Sequence, residues 1–233
     1  MNNFIFTGTE EENLIYHRGD YWVFDKVRLL GARMILDVFG DNNIFRGMKF
    51  SSHTANVFVY GDFNLIESCE FLDTEYFIML DTSYNSVYGN SIVGNLFRAW
   101  DGETSKGTIY LDPNACCGRI ENNVFEDNLV QSEPKLIMRG HNYFVSNNTF
   151  NSLVGTAVSV RANNSDPTYG SKMTFEKNHC NFQNKFKYYC INVGSPEIER
   201  GNIVYDDNSD CNGLSLTNIP ITERVNPYEL MNQ

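Results

Sequence analysis

Apolar residues in this chain come in short runs that alternate with polar ones and break at Asn, Gly, Asp or Ser. The period is two and the runs are rich in Val, Ile, Phe and Tyr, which predicts strands rather than helices. One motif recurs: an apolar residue, a spacer, two small or Asn-type residues, a spacer, then an apolar or aromatic residue. It is read in VFDKVRL (23–29), IFRGMKF (44–50), LIESCEF (65–71) and SVYGNSI (86–92). It returns in RIENNVF (119–125), FVSNNTF (144–150), TFEKNHC (174–180) and, more weakly, IERGNIV (198–204). Tracking one position gives Val27, Met48, Cys69, Asn90, Asn123, Asn148, Asn178 and Asn202, at spacings of 21, 21, 21, 33, 25, 30 and 24.

A repeat of 21–25 residues with occasional longer coils predicts a stacked solenoid. Short strands and polar turns within it predict a parallel β-helix, each coil stacking at ~4.8 Å on the last. The expectation is one all-β domain over 1–233, with about eight coils spanning 14–217 and a tail or cap at 218–233. Asn at one inward position would bond the turn backbone and the Asn of the next coil, a satisfied buried ladder.

Each coil carries a second run, from RMILDVF (33–39) through NVFVY (56–60), FIMLD (77–81), TIYLD (108–112), KLIMR (135–139) and AVSVR (157–161) to CINVG (190–194) and GLSLT (213–217). Alternation turns Leu80, Leu111, Met138 and Val160 inward and the residue after each to solvent. Stacking then predicts an outward column of Phe39, Tyr60, Asp81, Asp112, Arg139 and Arg161. The row two positions earlier is Asp37, Phe58, Met79, Tyr110, Ile137 and Ser159. Like charges on adjacent strands are destabilising, so this column has the marks of a site. Tyr60, Phe58 and Tyr110 offer flat apolar faces to sugar rings, and Arg139 and Arg161 bind acidic groups bidentately. Asp81 and Asp112 are candidates for an acid–base pair or for calcium ligands. Two insertions, Gly94–Gly107 and Ala162–Lys172, are expected to flank the column, with Trp100 at a tip as sugar platform or loop anchor. His141 is the histidine nearest to the site.

Composition narrows the classes. A net charge of −11 argues against nucleic-acid binding. No run approaches a membrane span, and the first residues, MNNFIFTGTEEEN, do not read as a secretory signal. The six cysteines lack metal-ligand spacing and read as free thiols.

The repeat resembles that of pectin-lyase-like right-handed parallel β-helices, which include polysaccharide lyases and phage tailspikes. Over Gly118–Asn164 the order of elements is similar to the family of alginate lyases and chondroitinase B. The resemblance implies β-elimination on an acidic polysaccharide. Arg139 would stand at the position of the Lys base and Arg161 at that of the catalytic Arg, and Glu133 or Lys135 would neutralise the uronate. That family holds calcium through acidic residues ahead of the base. Here its Glu-x-Glu is Glu133-Pro134-Lys135, which loses a carboxylate and gains a cation. The alternatives are a non-catalytic viral tailspike or surface module that binds glycans, packed as a homotrimer, and a glycoside hydrolase that uses the Asp pair. These classes imply an extracellular or virion-surface location.

Overall fold

The computed structural model describes residues 4–7, 13–30, 34–51, 56–72, 76–99, 108–127, 134–152, 157–160, 173–181, 191–193 and 203–206. They form a parallel β-helix built of three eight-stranded sheets. Among the described residues there is no helix, and none long and apolar enough to cross a membrane. Sheet I contains Asn13–His17, Met34–Val38, Asn56–Val59, Tyr76–Leu80, Thr108–Leu111, Leu136–Met138, Val158–Val160 and Ile191–Val193. Sheet II follows in each coil, from Val23–Asp25, Ile44–Arg46 and Leu65–Glu67 through Ser91–Val93, Arg119–Glu121 and Phe144–Ser146 to Met173–Glu176 and Ile203–Asp206. Sheet III begins at Ile5–Thr7 and continues with Arg28–Leu30, Lys49–Ser51, Glu70–Leu72, Leu96–Ala99, Val124–Asp127, Thr149–Ser152 and His179–Asn181.

Two sharp corners, one on either side of sheet II, set the cross-section. Among the described residues, every one with positive φ belongs to one of them. The first corner uses Tyr21, Asn42, Phe63, Gly89, Cys117 and Asn142; the second uses Lys26, Gly47, Ser68, Gly94, Asn122, Asn147 and Lys177. The left-handed conformation turns the chain within one residue, and Asn and Gly take it most readily. Close stacking also demands glycine just ahead of the first corner, where a Cβ on Gly40 would strike the Gly19 carbonyl and one on Gly61 the Gly40 carbonyl.

Trp22, after Tyr21, is exposed, but the residue after each of the other left-handed ones is buried, and this produces two Asn ladders where the sequence predicted one. At the first corner Asn43, Asn64 and Asn90 are buried in line. The Oδ1 of Asn64 accepts from the Asn43 amide at 2.9 Å, and that of Asn90 from the Asn64 amide at 2.8 Å. At the second corner the line is Val27, Met48, Cys69, Asn95, Asn123, Asn148 and Asn178. Asn90 was therefore assigned to the wrong ladder, and Asn95 is the residue that follows Cys69. The error arose at GNSIVGN, where both corners present Gly-Asn five residues apart. The stretch from Gly94 to Ala99 is accordingly a regular corner and strand, not the start of an insertion. Ile203–Asp206 pairs with Met173–Glu176 in sheet II, so the last motif copy belongs to that sheet; Asn202 itself lies outside the described residues.

The interior is filled coil by coil. Phe50, Phe71, Phe97, Phe125 and Phe150 stack behind sheet III with ring centroids 4.5–4.8 Å apart. Each is at most 2 % exposed, and burial of such a ring contributes roughly 1.5–3 kcal/mol. The cysteine expectation needs correcting: the neighbours Cys116 and Cys117 are joined by a disulfide and Cys180 is also disulfide-bonded, while Cys69 is a buried free thiol. Cys117 occupies a left-handed corner position, and the spacing rules for metal ligands give no view of a bridge between adjacent residues.

Candidate functional site

The outer face of sheet I carries the predicted column in the predicted register from Phe39 to Arg139. Val38 pairs with Val59, Val59 with Leu80, Leu80 with Leu111 and Leu111 with Met138. The residue after each continues the ladder: Tyr60, Asp81, Asp112 and Arg139 donate their amides to Val38, Val59, Leu80 and Leu111 of the preceding coil. Phe39, Tyr60, Asp81, Asp112 and Arg139 therefore stand side by side. The adjoining row, Asp37, Phe58, Met79, Tyr110, Ile137 and Ser159, is equally in register.

One end of this face is aromatic. Phe39 and Tyr60 stack at 4.6 Å with their planes 12° apart. Tyr16 lies 6.2 Å beyond Phe39, Phe58 lies 6.3 Å from Tyr60, and the Arg18 guanidinium sits 5.4 Å over the Phe39 ring. Tyr84 meets Tyr60 edge-on at 5.2 Å and is 68 % exposed. It rides on a lengthened first corner. Asp81 Oδ1 accepts from the Ser83 amide at 2.8 Å, an Asx turn that starts this excursion. Val87–Tyr88 ends it by pairing with Ala115–Cys116.

The middle of the face is acidic. Asp37, Asp81 and Asp112 sit close enough to influence one another. Burial first, and then the charge of Asp81, push the Asp37 carboxyl above its ordinary range. Asp112 is raised first by burial and also by Asp81, against the lowering effects of Arg139 and of bonds from Thr82. Its Oδ2 accepts from the Thr82 amide at 3.1 Å and hydroxyl at 3.4 Å. Tyr60 is hydrogen-bonded to Asp81, and its phenol is raised by burial and then by Asp37 and Asp81. Ionised carboxylates therefore oppose each other here, and Asp37 and Asp112 each hold a proton more tightly than usual.

The far end is basic. Arg139 Nη1 donates to the Tyr110 hydroxyl at 2.8 Å, and its buried Nε has no partner. Lys135, just ahead of Leu136–Met138, is 1 % exposed and so covered from solvent. His141 is paired through its backbone with Ala115 and Cys117, beyond the column. Trp100, Glu133 and Arg161 lie outside the described residues. So do most of both predicted insertions. Among the described residues no three His, Cys, Asp or Glu side chains gather closely enough to hold a metal ion.

The site reading from sequence missed Asp37 and Tyr84. Asp37 was visible in the second row as the one charged residue there. Tyr84 was hidden because the extra residues of its corner were counted as a repeat. No protein-family model matches this chain, and neither does any of the curated proteins or solved structures with which it was compared.

Proposed function

We propose that the chain binds a carbohydrate polymer along the outer face of sheet I. The observation that carries this reading is the half-exposed aromatic stack of Phe39, Tyr60 and Tyr84 set directly against the carboxylates Asp37, Asp81 and Asp112. Apolar faces of sugar rings pack on aromatic rings, and sugar hydroxyls donate to carboxylates. From Phe39 to Arg139 the column climbs four coils, about 19 Å at the spacing of parallel strands. That is the span of a chain of several sugars. The acidic middle disfavours a uniformly anionic polymer on this stretch and favours neutral or amino sugars, with any acidic sugar seated at Arg139.

Cleavage is the second reading, and two observations favour it through different chemistries. Asp112 has its proton held by burial and by Asp81, as a general acid beside an ionised carboxylate requires. This fits hydrolysis. The Arg139–Tyr110 contact instead places a cation and a phenol together, which fits β-elimination with charge stabilisation at a uronate.

The test titrates the wild type and Tyr60→Ala with a panel of neutral, amino and uronate oligosaccharides, following tyrosine fluorescence. The variant should weaken binding about fivefold, since a stacked ring contributes on the order of 1 kcal/mol. Equal binding by both proteins would remove this face from consideration. In parallel, new reducing ends lost in Asp112→Asn support hydrolysis, and absorbance from a new C4–C5 double bond lost in Arg139→Ala supports elimination.

A further inference from the structure

We infer a second ligand site, separate from the glycan face, in the groove between the second corner and sheet III. It takes a doubly charged tetrahedral oxyanion, a sulfate or phosphate group. The groove has a volume of about 610 Å³ and is lined by Lys26, Arg28, Lys49, Glu70 and the small residues Gly47 and Ser68. In a chain of net charge −11, this one groove gathers three cations against one carboxylate.

The cations are not arranged as a stable surface would arrange them for its own sake. Arg28 and Lys49 are direct cross-strand partners, a like-charge pairing that destabilises a sheet. Glu70 relieves only part of this. It holds Lys49 at 3.0 Å but also Arg98 at 3.2 Å, and Arg98 goes on to Glu126 at 2.7 Å. The chain of ion pairs thus runs away from the groove and ends at Lys49. Among the described residues no carboxylate pairs with Lys26 or Arg28, and both are exposed.

Chemistry then selects the ligand. Arg28 offers a planar fork for two oxygens, Lys26 and Lys49 are point charges, and the Ser68 hydroxyl is a further donor on the same wall. Net charge in the groove is two positive, which matches a dianion. Its volume is about twenty times the ~30 Å³ share of one water in the liquid, so there is room for the molecule that carries the anion. Gly47 and Ser68 keep the groove open, because a long side chain at either corner position would fill it.

Calorimetric titration of the full chain with sodium sulfate and, separately, with a sulfated disaccharide tests the inference. Arg28→Gln should weaken binding about tenfold, as loss of a charge-assisted contact does. Arg119→Gln should leave it unchanged, because Arg119 lies on sheet II and is held by Glu121 at 3.3 Å. Circular dichroism confirms that each variant is folded. Sulfate binding as tightly as the disaccharide supports the site and assigns it to a free ion, whereas tighter disaccharide binding supports it and assigns it to a sugar-borne group. Absence of saturable binding by either probe, or equal losses in the two variants, overturns it.

Discussion

The two corners of this solenoid solve one problem in opposite order along the chain. At the first corner the amides come early, with Asn43, Asn64 and Asn90, and the position then passes to Gly118 and the fully buried Tyr143. At the second corner the apolar residues come early, with Val27, Met48 and Cys69, and the amides follow as Asn95, Asn123, Asn148 and Asn178. Both corners carry an amide only in the coil of Asn90 and Asn95. A left-handed residue therefore suffices to make the corner, and the interior beside it can be filled with either hydrogen bonds or hydrocarbon. What differs is the kind of cohesion. Each amide of the second ladder donates to the preceding coil, as Asn123 Nδ2 does to the Ile92 carbonyl at 2.9 Å. It also donates to the next amide, Asn148 Oδ1, at 2.9 Å. The apolar part has no such thread. Cys69 is the transition, since its thiol donates to the Phe45 carbonyl at 3.4 Å, the role that Asn95 Nδ2 takes toward Ile66 one coil later.

The harshest way to break this contrast is Asn123→Ala. It removes the acceptor of the buried Asn95 amide and the donor to Ile92, and each buried group left unpaired costs about 1–3 kcal/mol. We expect a loss of roughly 2–6 kcal/mol in urea unfolding. Met48→Ala in the apolar part should cost about 2–5 kcal/mol from the cavity it leaves, with no backbone group orphaned by the lost side chain. Cys69→Asn should extend the ladder by one coil, and we expect a change within about 1 kcal/mol of the wild type. A loss as large as that of Asn123→Ala would show that the corners are not interchangeable.

Much of this was legible in the sequence, and the pattern of what was missed is instructive. The period and the outward column through Arg139 were readable because strand alternation and an inward apolar residue fix the parity of each coil. Leu80, Leu111 and Met138 are all fully buried, as alternation required. The ladder at the first corner was not readable, because an Asn beside a turn, such as Asn43 or Asn64, looks the same whether it faces water or the interior. Like a backbone amide, a side-chain amide gives no hydropathy signal of its burial. The disulfide at Cys116 escaped for a related reason: it depends on a local fold of the backbone and leaves no trace in spacing.

The smallest expected effect compares the acidic middle of the glycan face with the rest of the surface. Asp37 holds its proton more tightly in the folded chain than in the unfolded one, through burial and then Asp81. Between the unfolded value and the raised folded one, the native state binds more protons, so stability falls as pH rises through that window. Asp37→Asn removes this opposition. Its melting temperature should exceed that of the wild type at neutral pH, and the gain should shrink as pH falls through the raised value toward the ordinary carboxylate range. A gain that is constant with pH would assign the effect to packing instead.

The left-handed residues at the two corners stand a constant five positions apart: Tyr21 and Lys26, Asn42 and Gly47, Phe63 and Ser68, Gly89 and Gly94, Cys117 and Asn122, Asn142 and Asn147. The segments on either side of sheet I vary in length, so sheet II acts as a fixed bar against which the chain is indexed. Sliding any coil by one residue would force ordinary strand residues into the left-handed region at both corners at once. The solenoid therefore proofreads its own winding. New loops can be inserted ahead of sheet I or at the first corner without loss of count, and the face that carries Phe39, Tyr60 and Asp81 can change its chemistry while the thread behind it stays in step.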